Sequence, residues 1–403
     1  MSSVTGDPRP GTPIIDDDER RRRLGRRHWL APSRPVGGVA ALAGDLCGLH
    51  ASDPASVYLA ARARIGDIAV ASVDEAWHDR HEVVKALGMR RTVFVIETPW
   101  LPVMHGACTL AIERKERGAL ERLIESSGTA PDGARWLAEV ERAVRAALND
   151  GEATGAELSK RVPQLRTKVL LNEGKRSEGE VGLSTRVLFL MGCAGTLVRA
   201  RPKGSWISSQ NRWALAETAL GRPLDAVPTA DAQATLARRW LAAFGPATAK
   251  DLQWWAGWTM GDTKRALAAI GAVTVSLADG SAGWVNADDV DPEPRSKDSW
   301  LAYLPSLDPT AMGWMERDWY LGPHRPAVFD RTGNIGPTIW LDGRIVGGWA
   351  VRRDGHVAHR LFEDLGKTVA RRAATEAASV EAWLDGTVVT PRFPTPIDKE
   401  LRG

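Results

Sequence analysis

Gly245-Pro246-Ala247-Thr248-Ala249-Lys250-Asp251-Leu252 decides the fold, because Gly151-Glu152-Ala153-Thr154-Gly155-Ala156-Glu157-Leu158 repeats its pattern. The shared form is Gly-x-Ala-Thr-x-x-acid-Leu. Threonine suits a helix N-cap, and an acid three residues on closes a capping box onto the cap N–H. Leucine then packs inward. Each copy follows a helical run, over 133–149 in one case and 231–244 in the other. Each also precedes a further helix, over 182–193 and 262–270, and then strands, one from about Thr196 and two near 272–277 and 283–286. Two copies in the same order are a repeat. Helices followed by a β-hairpin give the order of a winged helix.

Towards the N-terminus the same order is expected again. A helix over 36–49 runs into Gly48-Leu49-His50-Ala51-Ser52-Asp53-Pro54. Asp53 suits an N-cap and Pro54 the first helical position, so a second helix runs to about Ile65. A third opens near Ser72, with Asp74 and Glu75 in its first turn, and carries Trp77, Val83, Val84 and Leu87 before Gly88 ends it. Strands over 92–96 and 103–112 are expected around a Pro99-Trp100-Leu101-Pro102 turn. Residues 1–30 hold Asp16-Asp17-Asp18-Glu19 against Arg20-Arg21-Arg22-Arg23, Arg26, Arg27 and His28. They read as a flexible arm, either with its basic half on phosphate backbone or as a self-neutralising tail. After a linker at 288–297 the composition turns towards β, with Asp342-Gly343 marking a tight hairpin between 337–341 and 345–350. A helix over about 366–384 and a closing strand at 387–389 end the chain.

The expected fold class is α+β, in five parts: an arm at 1–34, winged helices at 35–130, 131–228 and 229–297, and a β-rich domain at 298–403. Composition agrees with a folded multidomain protein, since 403 residues exceed one ordinary core and 43% are hydrophobic. No apolar run approaches the roughly 18 residues of a membrane helix. The basic N-terminus lacks the apolar core of a secretory signal. Three scattered cysteines, Cys47, Cys108 and Cys193, fit a reducing cytosol and no zinc spacing. A net charge of +3 does not by itself mark a nucleic-acid binder, so the distribution of charge matters more.

That distribution points to Arg199-Ala200-Arg201-Pro202-Lys203-Gly204-Ser205-Trp206, continuing to Asn211-Arg212-Trp213. A cation-rich strand, a Pro/Gly tip and a flat side chain are what a DNA-contacting wing requires, although an exposed hairpin with surface arginines has the same composition. His50 and Ser52 are either a chemical pair, imidazole and hydroxyl on one water, or a polar helix corner. No metal-ligand set accompanies them, and no serine sits in a Gly-x-Ser-x-Gly elbow. Asp308 lines a cleft or forms a turn, and Arg317-Asp318 is a binding cluster or a local salt bridge. His78, His81 and Glu82, like His356 and His359, read as solvated faces.

Taken together, 48–54, Met89-Arg90-Arg91-Thr92, 201–206, 245–248, Leu304-Pro305-Ser306-Leu307-Asp308-Pro309 and 342–349 resemble the bacterial tandem winged-helix DNA glycosylases that remove alkylated purines and unhook interstrand crosslinks. The resemblance covers most of 30–365. It implies three winged helices in a C shape with a β-rich C-terminal part, and hydrolysis of the N-glycosidic bond of a purine made cationic by alkylation. The family places water with a polar pair, commonly Gln-x-Gln or Gln-x-Asp, and the matching positions here are His50 and Ser52. Phe94 stands where the family has a histidine. The resemblance assigns Arg199, Arg201, Lys203, Ser205, Trp206 and Arg212 to DNA, with Arg90 and Arg91 behind them. It implies no metal and no cofactor, a double-stranded DNA partner, no membrane, a monomer, and a cytoplasmic, nucleoid-associated place. A non-catalytic winged-helix DNA-binding protein, or a protein-interaction scaffold, remains open at this point.

Overall fold

In the computed structural model, residues 12–32, 37–66, 68–171, 179–295 and 298–403 are described. They form an α+β protein in which one order recurs: a helix, a short strand (in the third unit a single bridge, Ala247 to Trp284), a capped helix, a further helix and a β-hairpin. In the first unit the helices are Val39–Asp45, Pro54–Ile65 and Val70–Asp74, the last prolonged by a wider turn to Asp79. Its hairpin pairs Val83–Leu87 with Val93–Glu97. The second unit has helices Gly133–Leu148, Gly155–Arg161 and Leu183–Cys193 and a hairpin of Leu197–Ala200 and Arg212–Leu215. Thr229–Phe244, Ala249–Ala256 and Met260–Ala269 lead into the third hairpin, Val273–Leu277 with Ala282–Val285.

Both expected capping boxes form. Thr154 caps with Glu157 and Thr248 with Asp251, each side chain accepting from the other's backbone N–H. The first two hairpins fuse into one six-stranded antiparallel sheet, joined where Lys85 faces Arg199. The C-terminal part holds a four-stranded antiparallel sheet, Leu301–Leu304, Thr338–Leu341, Arg344–Val351 and Val357–Leu361, covered by Gly366–Leu384. Its tight hairpin forms as expected, with positive φ at both Asp342 and Gly343.

Four expectations are corrected. Residues 83–87 are a strand, because Val83, Val84 and Ala86 are buried between two packed layers and an apolar run so short fits either element. Residues 103–112 are helical, within Leu101–Met104 and a continuation through Leu110–Ser126, since Pro99 and Pro102 sit in first turns where proline starts a helix. Residues 387–389 pair with no strand. The arm is folded over its described part, 12–32. Ile14–Ile15 adds to the third hairpin alongside Val273–Leu277. Asp16 caps the helix Asp17–Arg27, and acids in its first turn with bases in its last suit the helix dipole. Its cations are used within the chain: Arg23 is buried on Glu19 and on the carbonyls of Asp289 and Asp291, and Arg27 binds Asp289. Residues 1–11 lie outside the described residues.

Candidate active site

The strand-to-helix junction of the first unit carries the site. Leu49 and His50 pair with Val95 and Phe94, and the N–H of Ala51 donates to Val93 O. Asp53 then caps Pro54–Ile65, accepting from Ala55 N at 3.2 Å. The two residues between strand and cap, Ala51 and Ser52, keep His50 and Ser52 close together, His50 buried and Ser52 part-exposed.

His50 is 8% exposed, with its ring edge on Phe94 at 5.1 Å. Its Nδ1 faces the N–H of Ser52 at a long 3.5 Å, and Nε2 has no hydrogen-bond partner among the described residues. Burial, and then the cations Arg90 and Lys85, push its pKa down to about 3. At neutral pH it is therefore an uncharged imidazole with one donor and one acceptor nitrogen. The Ser52 hydroxyl is unpartnered among the described residues, while the Ser52 carbonyl accepts from Arg392.

Two residues that the sequence reading missed stand close by. Lys85 is buried, donates to Asn211 Oδ1 at 3.1 Å and lies 5.9 Å from the Trp77 ring. Burial, and then Arg199, bring its pKa down to about 7. A lone lysine inside Val83-Val84-Lys85-Ala86-Leu87 was the available signal. Arg392 comes from the far end of the chain and gave none. Its backbone N–H donates to Asp53 Oδ2 at 3.1 Å, and its Nη1 to the Ser52 carbonyl at 3.2 Å.

The wing residues divide by how they are engaged. Arg199 stacks on Trp213 at 3.3 Å, and burial brings its pKa to about 10. Arg201 pairs with Asp74 and Asp79, and Arg212 with Glu152. Lys203 and Ser205 are exposed at the tip, where Gly204 takes a φ of 99°. Trp206, expected as a stacking residue, is half-buried against Tyr58 at 5.0 Å and Trp383 at 5.7 Å. In the first hairpin's turn, Arg90 stacks on Trp254 of the third unit at 3.9 Å, while Arg91 pairs with Glu116 and lies over Phe189.

Asp308 is structural. It caps the turn Pro309–Met312 and forms a fully buried two-point pair with Arg64, at 2.7 and 2.9 Å. Arg317 does not pair with Asp318; it donates to Trp314 O and packs over Trp254 and Phe329. His78 stacks on Trp77, and His356 pairs with Glu381. Among the described residues no group of three or more His, Cys, Asp or Glu side chains is placed to hold a metal. No helix among them is long and apolar enough to cross a membrane.

Comparison with known proteins gives the class first: this is a DNA glycosylase, an enzyme of DNA repair that hydrolyses N-glycosyl bonds. More particularly, the chain belongs to the DNA glycosylase AlkZ-like family, whose model matches residues 43–385. Among solved structures it is similar to the Streptomyces sahachiroi DNA glycosylase AlkZ, with a TM-score of 0.69 and 21% identity, covering 93% of this chain and 98% of that one. At that identity the likeness is one of fold. No curated protein matches the chain.

Proposed function

We propose that this glycosylase hydrolyses the N-glycosidic bond of alkylated or bulky-adduct purines in double-stranded DNA, by a monofunctional route centred on His50. Family membership supplies the reaction class, and the buried, uncharged imidazole at the first junction carries the assignment. Alkylation leaves the purine cationic, so the base departs with the bonding electrons as the C1′–N bond breaks. Water oxygen then bonds to C1′ of the oxocarbenium-like sugar and releases a proton to solvent. An imidazole with a pKa of about 3 is too weak a base to strip water before the bond breaks. Its part is to hold that water by a ring nitrogen. Ser52 brings its free hydroxyl to the same side.

The recurring order of helices and hairpins supports three winged-helix units, which we take to act as a monomer. The exposed tip residues Lys203 and Ser205 lead the surface offered to the duplex, with Arg199, Arg201, Trp206 and Arg212 in the same hairpin and Arg90 and Arg91 in the first reaching it by giving up their present partners. A nucleoid-associated place in the cytoplasm follows from that reading. The test is release of free 7-methylguanine from methylated duplex. Wild type is expected to release it, and His50→Ala to lose about a hundredfold in rate, the scale of one lost catalytic hydrogen-bond partner. Equal rates would remove His50 from the mechanism. No release from any alkylated or crosslinked duplex would leave a non-catalytic DNA-binding protein.

A further inference from the structure

The segment after Gly366–Leu384 returns to the first junction and places one residue there. Arg392 touches two of the three residues that separate His50 from its helix: its backbone N–H is on Asp53 Oδ2, and its Nη1 is on the Ser52 carbonyl. The family match ends at residue 385, so Arg392 lies outside the matched residues while Ser52 and Asp53 lie within them. The guanidinium is exposed, and no carboxylate lies within ion-pair distance among the described residues. Apart from Nη1, its nitrogens have no hydrogen-bond partner among the described residues; the nearest ring is Phe393, at 5.7 Å.

Most other candidate cations differ. Arg201 and Arg212 of the second hairpin and Arg91 of the first each already hold a carboxylate, and Arg199 is stacked on Trp213; Lys203, at the wing tip, is exposed without an ion pair among the described residues. Arg392 therefore presents an open fork of donors at the turn that carries His50 and Ser52. Such a fork matches the oxygens of a phosphate. A bare cation at this place would oppose the positive charge that develops on the sugar. With a phosphate in its grip that opposition is neutralised, and the phosphate oxygens stand on the side of the sugar cation.

We propose that Arg392 is a positioning residue that holds the phosphate flanking the excised nucleotide and sets it against the His50–Ser52 turn. This rests on the glycosylase reading of that turn. Its test has two readouts, each on wild type, Arg392→Ala and Arg392→Lys, with melting curves to show that all three fold. Binding to a methylated duplex is measured by fluorescence anisotropy across a salt series, and 7-methylguanine release is followed to saturation. Arg392→Ala is expected to lower the slope of log affinity against log salt by about one and to raise the half-saturating DNA concentration about tenfold, with the saturated rate changed less than threefold. Arg392→Lys keeps the slope. An unchanged slope with an unchanged half-saturation overturns the proposal. So does a fall in saturated rate at constant slope, which would make Arg392 a brace for the turn alone. If wild type releases no base, the glycosylase reading fails by itself, because the salt slope still reports the phosphate contact.

Discussion

The junction that leads from a paired strand residue into a capped helix is built three times in this chain, and the first differs from the other two. In the second and third units an alanine faces a tryptophan of the hairpin, Ala153 on Trp213 and Ala247 on Trp284. The very next residue, Thr154 or Thr248, caps the helix and is answered by the acid of its own capping box. In both, the threonine hydroxyl is committed to the box; in the third unit Asp251 also takes the backbone N–H groups of Met315 and Glu316 on its other oxygen. In the first unit the facing pair is His50 on Phe94, and Ala51 and Ser52 intervene before the cap. Asp53 has no acid of its own helix to answer it; its second oxygen takes the backbone of Arg392 instead. One joint thus has a closed form that only folds and an open form that leaves an imidazole nitrogen and a hydroxyl unspent. Chemistry resides in what the joint adds to the scaffold, not in the scaffold.

The contrast can be broken at several points. The largest effect is expected where the first unit is anchored rather than where it reacts. Arg64→Ala strips a fully buried pair and leaves Asp308 with the Thr310 N–H as its remaining donor among the described residues, which costs about 3–5 kcal/mol in unfolding free energy by denaturant titration. Loss of base release without loss of stability would instead put Asp308 in the chemistry. Next, Asp53→Ala removes the open junction's cap and its tie to Arg392. Stability should fall by about 1–2 kcal/mol, and base release by roughly tenfold with His50 still present. Thr248→Ala is the matched control: about 1 kcal/mol of stability is lost and release per folded molecule is unchanged. If Thr248→Ala slowed release while Asp53→Ala did not, the distinction between the two joints would collapse.

Acid provides a further probe. His28 is buried against Thr310 Oγ1 and Ala243 O, and burial holds its pKa near 3, as it does that of His50. Both values lie below the unfolded value of about 6.5, so between the two the unfolded chain binds more protons. The two histidines' contribution to stability should therefore be intact above pH 6.5 and decline as pH falls towards 3, as melting curves will show. The smallest effect belongs to the wing tip, where Lys203→Ala should lower the salt slope of DNA binding by about one without touching the saturated release rate.

What was legible in the sequence was local. Capping boxes at Thr154 and Thr248, the Asp342-Gly343 hairpin and the helix Gly366–Leu384 each declare themselves within a few residues. The candidate pair was visible because a histidine and a serine precede an Asp-Pro helix start. Ambiguity began where an element's type depends on its neighbours: 83–87 is a strand only because layers cover both its faces. The acidic-then-basic run at 16–27 read as a flexible arm, on phosphate backbone or neutralising itself, since its partners Asp289, Asp291 and Trp319 are hundreds of residues away. Arg392 was hidden for the same reason, as was the fusion of two hairpins through Lys85 and Arg199. Long-range pairing leaves no period in a sequence.

The central claim, that His50 works as an uncharged holder of water, is tested most directly by single-turnover release of 7-methylguanine from methylated duplex between pH 5 and 8. An imidazole with a pKa of about 3 does not titrate in that range, so wild type and His50→Ala should give parallel profiles, any step near pH 7 from Lys85 appearing in both, with His50→Ala about a hundredfold lower. A wild-type inflection near pH 6.5 that disappears in His50→Ala would contradict the account and make His50 a general base.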